Sequence, residues 1–223
     1  MKNLEQIIKC FNKTEGRDKI SKMIQYGAKF LSWYFQKFNN LEKAHQFNNL
    51  FMAMREARKI FRLAKTLNEI QYIFYKIKEN TENVNDIIRV LKIFSRIWFA
   101  LFWAFDNLSI LSQIQIIQSN PKVLGKIAMS FWAVGIITNL TETFRDLIGN
   151  LLYLRKVQKQ TDHKEIQKRI NVNYLNIIKN LCDLLLAGTG SELFSKIFFY
   201  QPNDALVGFG GFIAGIIATY QAI

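Results

Sequence analysis

The stretch GRDKISKMIQYGAKFLSWY, residues 16–34, sets four lysine and arginine side chains among nine apolar or aromatic ones. Plotted at about 100° per residue, it reads as an amphipathic helix over residues 14–39. Ile20, Met23, Ile24, Phe30, Leu31, Tyr34, Phe35 and Phe38 share one face, with Gly27 and Ala28 between them. Asp18, Lys22, Gln25, Lys29 and Gln36 take the opposite face, while Lys19 and Lys37 sit at a margin beside Tyr26 and Trp33. Rings at the border of an oily and a wet face suit a membrane interface, because their bodies are apolar and their tips polar. Lysines there lay their stems on lipid and lift the ammonium to the headgroups. Arg17, Lys19, Lys22, Ile24, Tyr26, Lys29, Phe30, Trp33 and Tyr34 therefore form the expected membrane-binding set. A helix packing its oily side on a protein core fits the same wheel, so the neighbouring segments must decide.

Composition narrows the choice. The 223 residues are 50% hydrophobic and 14% aromatic, and the formal net charge is +13. That charge suits nucleic acid or an anionic membrane surface. It is unevenly spread: residues 1–100 carry 19 basic and 9 acidic side chains, residues 101–223 only 11 and 8. The basic first part reads as the surface-binding portion and the oilier second part as the embedded one. Nucleic-acid binding would need exposed base-reading side chains, whereas the aromatics here lie on the oily faces. Cys10 and Cys182 read as reduced thiols, and His45 and His163 cannot build a metal site of the usual spacing. No secretory signal is expected at the N-terminus, and the final Gln221-Ala222-Ile223 is not a peroxisomal import tripeptide.

The pattern is helical throughout. Short and long helices are expected over about 3–12, 14–39, 41–78, 84–117, 121–160, 163–187 and 204–222, with residues 79–83 as a polar break. Thr14 is the expected N-cap of the second helix, Pro121 opens another, and Gly188 and Gly190 close the 163–187 helix. On the 41–78 helix, Arg55, Arg58, Arg62 and Lys65 form a basic stripe within about 80° on the wheel. Ile60, Leu63, Ala64, Leu67, Ile70 and Phe74 lie opposite them. Two basic amphipathic helices in succession strengthen the membrane reading.

Residues 205–223, ALVGFGGFIAGIIATYQAI, hold no charge and reach the roughly 20 residues that cross about 30 Å of hydrocarbon. Gly211 and Gly215 make a small-residue step through which two helices could approach closely. The expected partner is a second copy or the chain's other span candidate, 123–140, VLGKIAMSFWAVGIITNL. A third apolar run, in 97–117, has Asp106 and Asn107 near its middle and reads as partly embedded or packed against other helices. The expected fold is an all-α, membrane-associated helical bundle with amphipathic surface helices and one or two transmembrane helices in the C-terminal half. It forms one unit, with basic amphipathic helices over 1–82 and a membrane-embedded part over 83–223.

Catalytic constellations are missing. GFGG at 208–211 does not complete a dinucleotide fingerprint, and there is no Walker lysine, nucleophile elbow or paired histidine set. Asp106, Asp146 and Asp183 are isolated helix carboxylates, better suited to bridge helices than to act as general bases. The chain reads as non-enzymatic and without cofactors.

Five segments then resemble one family. Thr14–Tyr34, TEGRDKISKMIQYGAKFLSWY, is similar to the N-terminal signature of the peroxisomal biogenesis factor 11 family, which opens T-x-G-R-D-K and continues to Q-Y. REARKIFRLAK (55–65), FWAFDNLSIL (102–111), NIIKNLCDLLLA (176–187) and GFGGFIAGIIATYQ (208–221) resemble its later segments in the same order. The resemblance implies a peroxisomal membrane protein that remodels and elongates that membrane and recruits the division machinery. Its partners would be anionic headgroups, copies of itself and division proteins. Two alternatives stay open at this stage. One is an accessory subunit of a large membrane complex, for example in the mitochondrial inner membrane; the other is a metabolite pore.

Overall fold

The computed structural model describes residues 2–78, 86–156 and 160–222. Among these there are nine helices and no strand. They are α1 (Lys2–Asn12), α2 (Thr14–Lys37), α3 (Leu41–Arg62), α4 (Lys65–Lys78), α5 (Asp86–Gln113), α6 (Pro121–Leu154), α7 (Gln160–Gly190), α8 (Leu193–Phe198) and α9 (Asp204–Ala222). The expected break at 79–83 lies outside the described residues.

Helix starts follow local chemistry where a side-chain acceptor is available. Asn40 accepts from the Lys43 amide at 3.2 Å to open α3. Asn120 accepts from Lys122 and Val123 ahead of Pro121, and Asn203 accepts from Leu206 at the head of α9. Each satisfies an amide left without an intrahelical partner. Thr14 is not the cap of α2: extended Lys13 precedes the helix and supplies no side-chain bond, and Thr14 is already inside it. The 41–78 helix is divided at Leu63–Ala64, where Ala64 adopts a left-handed φ of 61°. No glycine or proline marks this break; the turn carries Lys65 onto Asp18 at 2.7 Å and α4 onto α5. The helix expected to end near residue 187 runs on through Gly188 to Gly190. The short α8 follows it, between left-handed Glu192 and Phe199.

The apolar core follows the α6–α7 seam. Ala133, Ile136, Leu140 and Leu147 meet Ile166, Ile170 and Ile177, at the three- and four-residue spacings that align one helix face. Asn180 donates to Asn139 at 2.7 Å across the same seam, the kind of side-chain bond that joins helices in lipid. Rings tie α5 to α6: Phe102 stacks on Trp132 at 5.3 Å and Trp98 on Phe131 at 5.7 Å.

Two helices, α6 and α9, are long and apolar enough to cross a membrane. Each carries an exposed apolar stripe: Ile137, Phe144 and Ile148 on α6, and Phe209, Ile216 and Tyr220 on α9. The 97–117 run does not qualify as a third. Its residues 97–113 lie in α5, where Asp106 is buried and faces Arg62.

Candidate membrane interface

Helix α2 has packing partners on both of its faces. Its apolar side lies along α9 with glycine at each closest approach. A Cβ on Gly208 would stand 2.6 Å from the Phe30 nitrogen, one on Gly211 2.2 Å from the Tyr26 ring, and one on Gly215 2.6 Å from the Met23 Cα. Gly211 and Gly215 thus lie against α2 of the same chain, and not against the 123–140 helix. Gly208 completes the stripe, and its three-residue step from Gly211 is the signal in the sequence that marks it. Lys29 closes this end of the pair on Asp204 at 2.7 Å.

The polar side of α2 is buried as well. Asp18 and Lys22 are only 3% and 7% exposed. Lys22 donates to Asp183 of α7 at 2.5 Å. Arg58 of α3 reaches Asp18 at 2.9 Å and Gln25 at 2.8 Å, and Lys65 reaches the second Asp18 oxygen at 2.7 Å. Burial by itself would raise the Asp18 carboxyl; Arg58 and Lys65 outweigh it and hold the group well below the usual carboxylate range. Burial pushes the Tyr26 phenol up, opposed by Arg58 and Arg62.

The expected membrane-binding set is therefore spread over different surroundings. Lys22 is buried, while Lys19, Tyr26, Lys29, Phe30 and Trp33 are half-buried. Arg17, Ile24 and Tyr34 remain exposed, and Arg17 is bound to the Phe11 carbonyl at 2.7 Å. The basic stripe also turns inward. Arg58 and Lys65 share Asp18, and Arg62 faces Asp106 at 3.5 Å without a hydrogen bond to its nearer oxygen. Burial raises the Asp106 carboxyl, with Arg62 opposing. Only Arg55 stays at the surface, beside Glu56 at 3.3 Å.

Beyond the division at Ala64, α4 carries an apolar stripe that is outside. On α4, Leu67, Ile70, Phe74 and Ile77 recur at three- and four-residue steps and are 65%, 40%, 60% and 54% exposed. The other side of α4 is fastened to α5, where Arg96 pairs with Glu69 at 3.3 Å and lies 4.6 Å over Tyr72. A helix in water arranges these faces the other way round. Buried ion pairs under an apolar exterior fit a chain whose solvent is hydrocarbon and headgroups.

The model of the family described as peroxisomal biogenesis factor 11 (PEX11) matches residues 4–223. The peroxisomal membrane protein 11 homolog of Dictyostelium discoideum is 26% identical, over 98% of this chain and 93% of the relative. Peroxisomal membrane protein PMP30B of Candida boidinii is 25% identical, over 95% and 91%. Peroxisomal membrane protein PMP27 of Saccharomyces cerevisiae is 22% identical, over 96% and 92%. No solved structure matches. The accessory-subunit, mitochondrial and pore alternatives find no support in these relatives. An inside-out helical bundle with two span-length helices, matched by the family model over nearly its whole length, belongs to the peroxisomal biogenesis factor 11 family.

Proposed function

We propose that this chain is a non-enzymatic protein of the peroxisomal membrane that elongates that membrane and promotes peroxisome proliferation and fission. In this reading α6 and α9 lie in the bilayer and α4 is the wedge in its headgroup layer. The observation that carries it is the bare apolar stripe of α4, Leu67, Ile70, Phe74 and Ile77. An amphipathic helix buried about 5–10 Å into one leaflet expands that leaflet relative to the other and favours convex curvature. Lys76 and Lys78 at its end would each add about 1 kcal/mol on anionic lipid. The packed α2 then serves as the scaffold that holds α3 and α9 in place. Self-association would use the exposed stripe of α6, because the glycine face of α9 is occupied. Recruitment of division proteins belongs to the same reading.

The full-length protein with Ile70→Glu and Phe74→Glu tests this on anionic and on neutral vesicles. Binding to anionic vesicles is expected to fall by at least about tenfold, since each lost apolar contact is worth roughly 1.5–3 kcal/mol. Tubulation should disappear. Helicity and melting should change little, because both side chains are exposed. Undiminished vesicle bending by this variant would remove α4 from the wedge role.

A further inference from the structure

A cavity of about 350 Å³ opens where the start of α2, the middle of α7 and the end of α9 meet. Lys13, Glu15 and Lys19 line it from the α2 side, Lys179 from α7 and Gln221 from α9. The charges around it do not balance. Asp183 is taken by Lys22 at 2.5 Å, and Glu15 by Lys19 at 3.5 Å. Lys13 and Lys179 have no ion pair among the described residues. Gln221 is oriented by its bond to Asn176 at 2.9 Å. Lys13 lies at the mouth, exposed, whereas Lys179 is half-buried. Burial lowers the Lys179 ammonium from its ordinary value; Asp183 counters this, and Lys19 and Lys22 add to it. A half-buried cation with no ion pair of its own is costly, and an anion with several oxygens would relieve it through charge-assisted hydrogen bonds. The cavity is far larger than a single water needs, whose share of liquid volume is about 30 Å³.

We propose that this cavity is a phosphate site, in which Lys179 and Lys13, with Lys19 beside them, hold a phosphate group. The phosphate comes from a phospholipid headgroup or from free phosphate in solution. The first source rests on reading α9 as a span, because Gln221 in its last turn then sits at headgroup level. The phosphate chemistry itself does not depend on that reading.

The test is thermal unfolding of the full-length protein in neutral detergent. It is titrated with sodium phosphate or with short-chain phosphatidylinositol 4-phosphate, against sodium chloride of equal ionic strength. A phosphate-bearing probe is expected to raise the melting midpoint where chloride does not. Lys179→Gln should weaken that response about tenfold, the scale of one charged hydrogen bond. Lys196→Gln in α8 should respond as the unaltered protein does. A shift with the lipid alone assigns the headgroup as source, and an equal or larger shift with free phosphate assigns the soluble ion. Absence of any shift beyond chloride, or equal losses in Lys179→Gln and Lys196→Gln, overturns the proposal. Lys179→Gln removes a cation that has no ion pair, so its unliganded midpoint should match or exceed that of the unaltered protein. Failure here leaves the α4 vesicle experiment untouched, since no α4 residue lines the cavity.

Discussion

Replacing Gly208 and Gly215 with isoleucine will detach α2 from α9 while leaving α9 as apolar as before. At both positions a Cβ meets backbone rather than a movable side chain, the Phe30 nitrogen and the Met23 Cα, each at 2.6 Å. The two helices must then move apart along their whole contact, because rotamers cannot relieve a clash with main chain. Overpacking costs about 1–3 kcal/mol at one site, and two such sites a turn or two apart act on the same seam. Separation also exposes the Lys22–Asp183 pair and opens the Lys29–Asp204 bridge. Trypsin should therefore cut at Lys22 and Lys29 in the variant and spare both in the unaltered protein. Gly149, beside which a Cβ finds nothing within 4 Å, is the control. Gly149→Ala should be neutral or stabilise by up to about 1 kcal/mol through helix propensity. If the double isoleucine variant keeps the unaltered cleavage pattern, α2 is not held by the glycine face.

Asp18→Asn should be the most damaging single substitution in the bundle. The carboxylate is 3% exposed and compensates both Arg58 and Lys65, at 2.9 and 2.7 Å. Removing one partner of a buried ionic group strands the others and costs about 3–5 kcal/mol. Here two cations are stranded, and the left-handed turn at Ala64 loses the anchor that follows it. Asp18→Asn together with Lys65→Met should recover part of the loss, as one stranded charge is then gone. The pH dependence carries the same sign. The folded carboxyl is held below its unfolded value, so its stabilisation is complete above the ordinary carboxylate pKa of about 4. It fades as pH falls through the lower, folded value. Acid titration of the unaltered protein in detergent should show this loss below about pH 4, and Asp18→Asn should flatten it. Equal melting of Asp18→Asn and the unaltered protein at neutral pH would mean that the cluster contributes nothing.

Much of the fold was legible because its signals are local. Pro121 at a helix start and the uncharged run before the C-terminus each place an element without reference to anything distant. The apolar and polar faces of α2 are also plain on the wheel. What surrounds those faces was not legible. The partner of Lys22 is 161 residues away, and Arg58 lies 40 residues from Asp18. A wheel shows that lysines and an aspartate share a face; it cannot show that carboxylates and cations from other helices will close over it. The same blindness applied to Arg58, Arg62 and Lys65, which an amphipathic plot treats as a wet stripe. Leu67, Ile70 and Phe74 point outward because α4 turns its other side, with Glu69 and Tyr72, onto Arg96 of α5. The division at Leu63–Ala64 carried no signal because the strained residue is an alanine, a strong helix former. The left-handed turn there is imposed by contacts on either side of it. The cavity beside Lys179 joins three helices and has no motif.

Whether α2 stays in the bundle on a membrane decides between α4 and α2 as the wedge. Lys29 and Asp204 stand 2.7 Å apart across the α2–α9 seam, with the Asp204 side chain largely exposed, so a zero-length carbodiimide can join them. Full-length protein is cross-linked in neutral detergent and again on anionic vesicles that it has bound, and the joined peptides are identified by mass spectrometry. Equal yields of the Lys29–Asp204 peptide in both settings are the predicted result, with α4 supplying the wedge. Coupling in detergent that vanishes on vesicles would contradict it, by showing that α2 leaves α9 to lie on lipid itself.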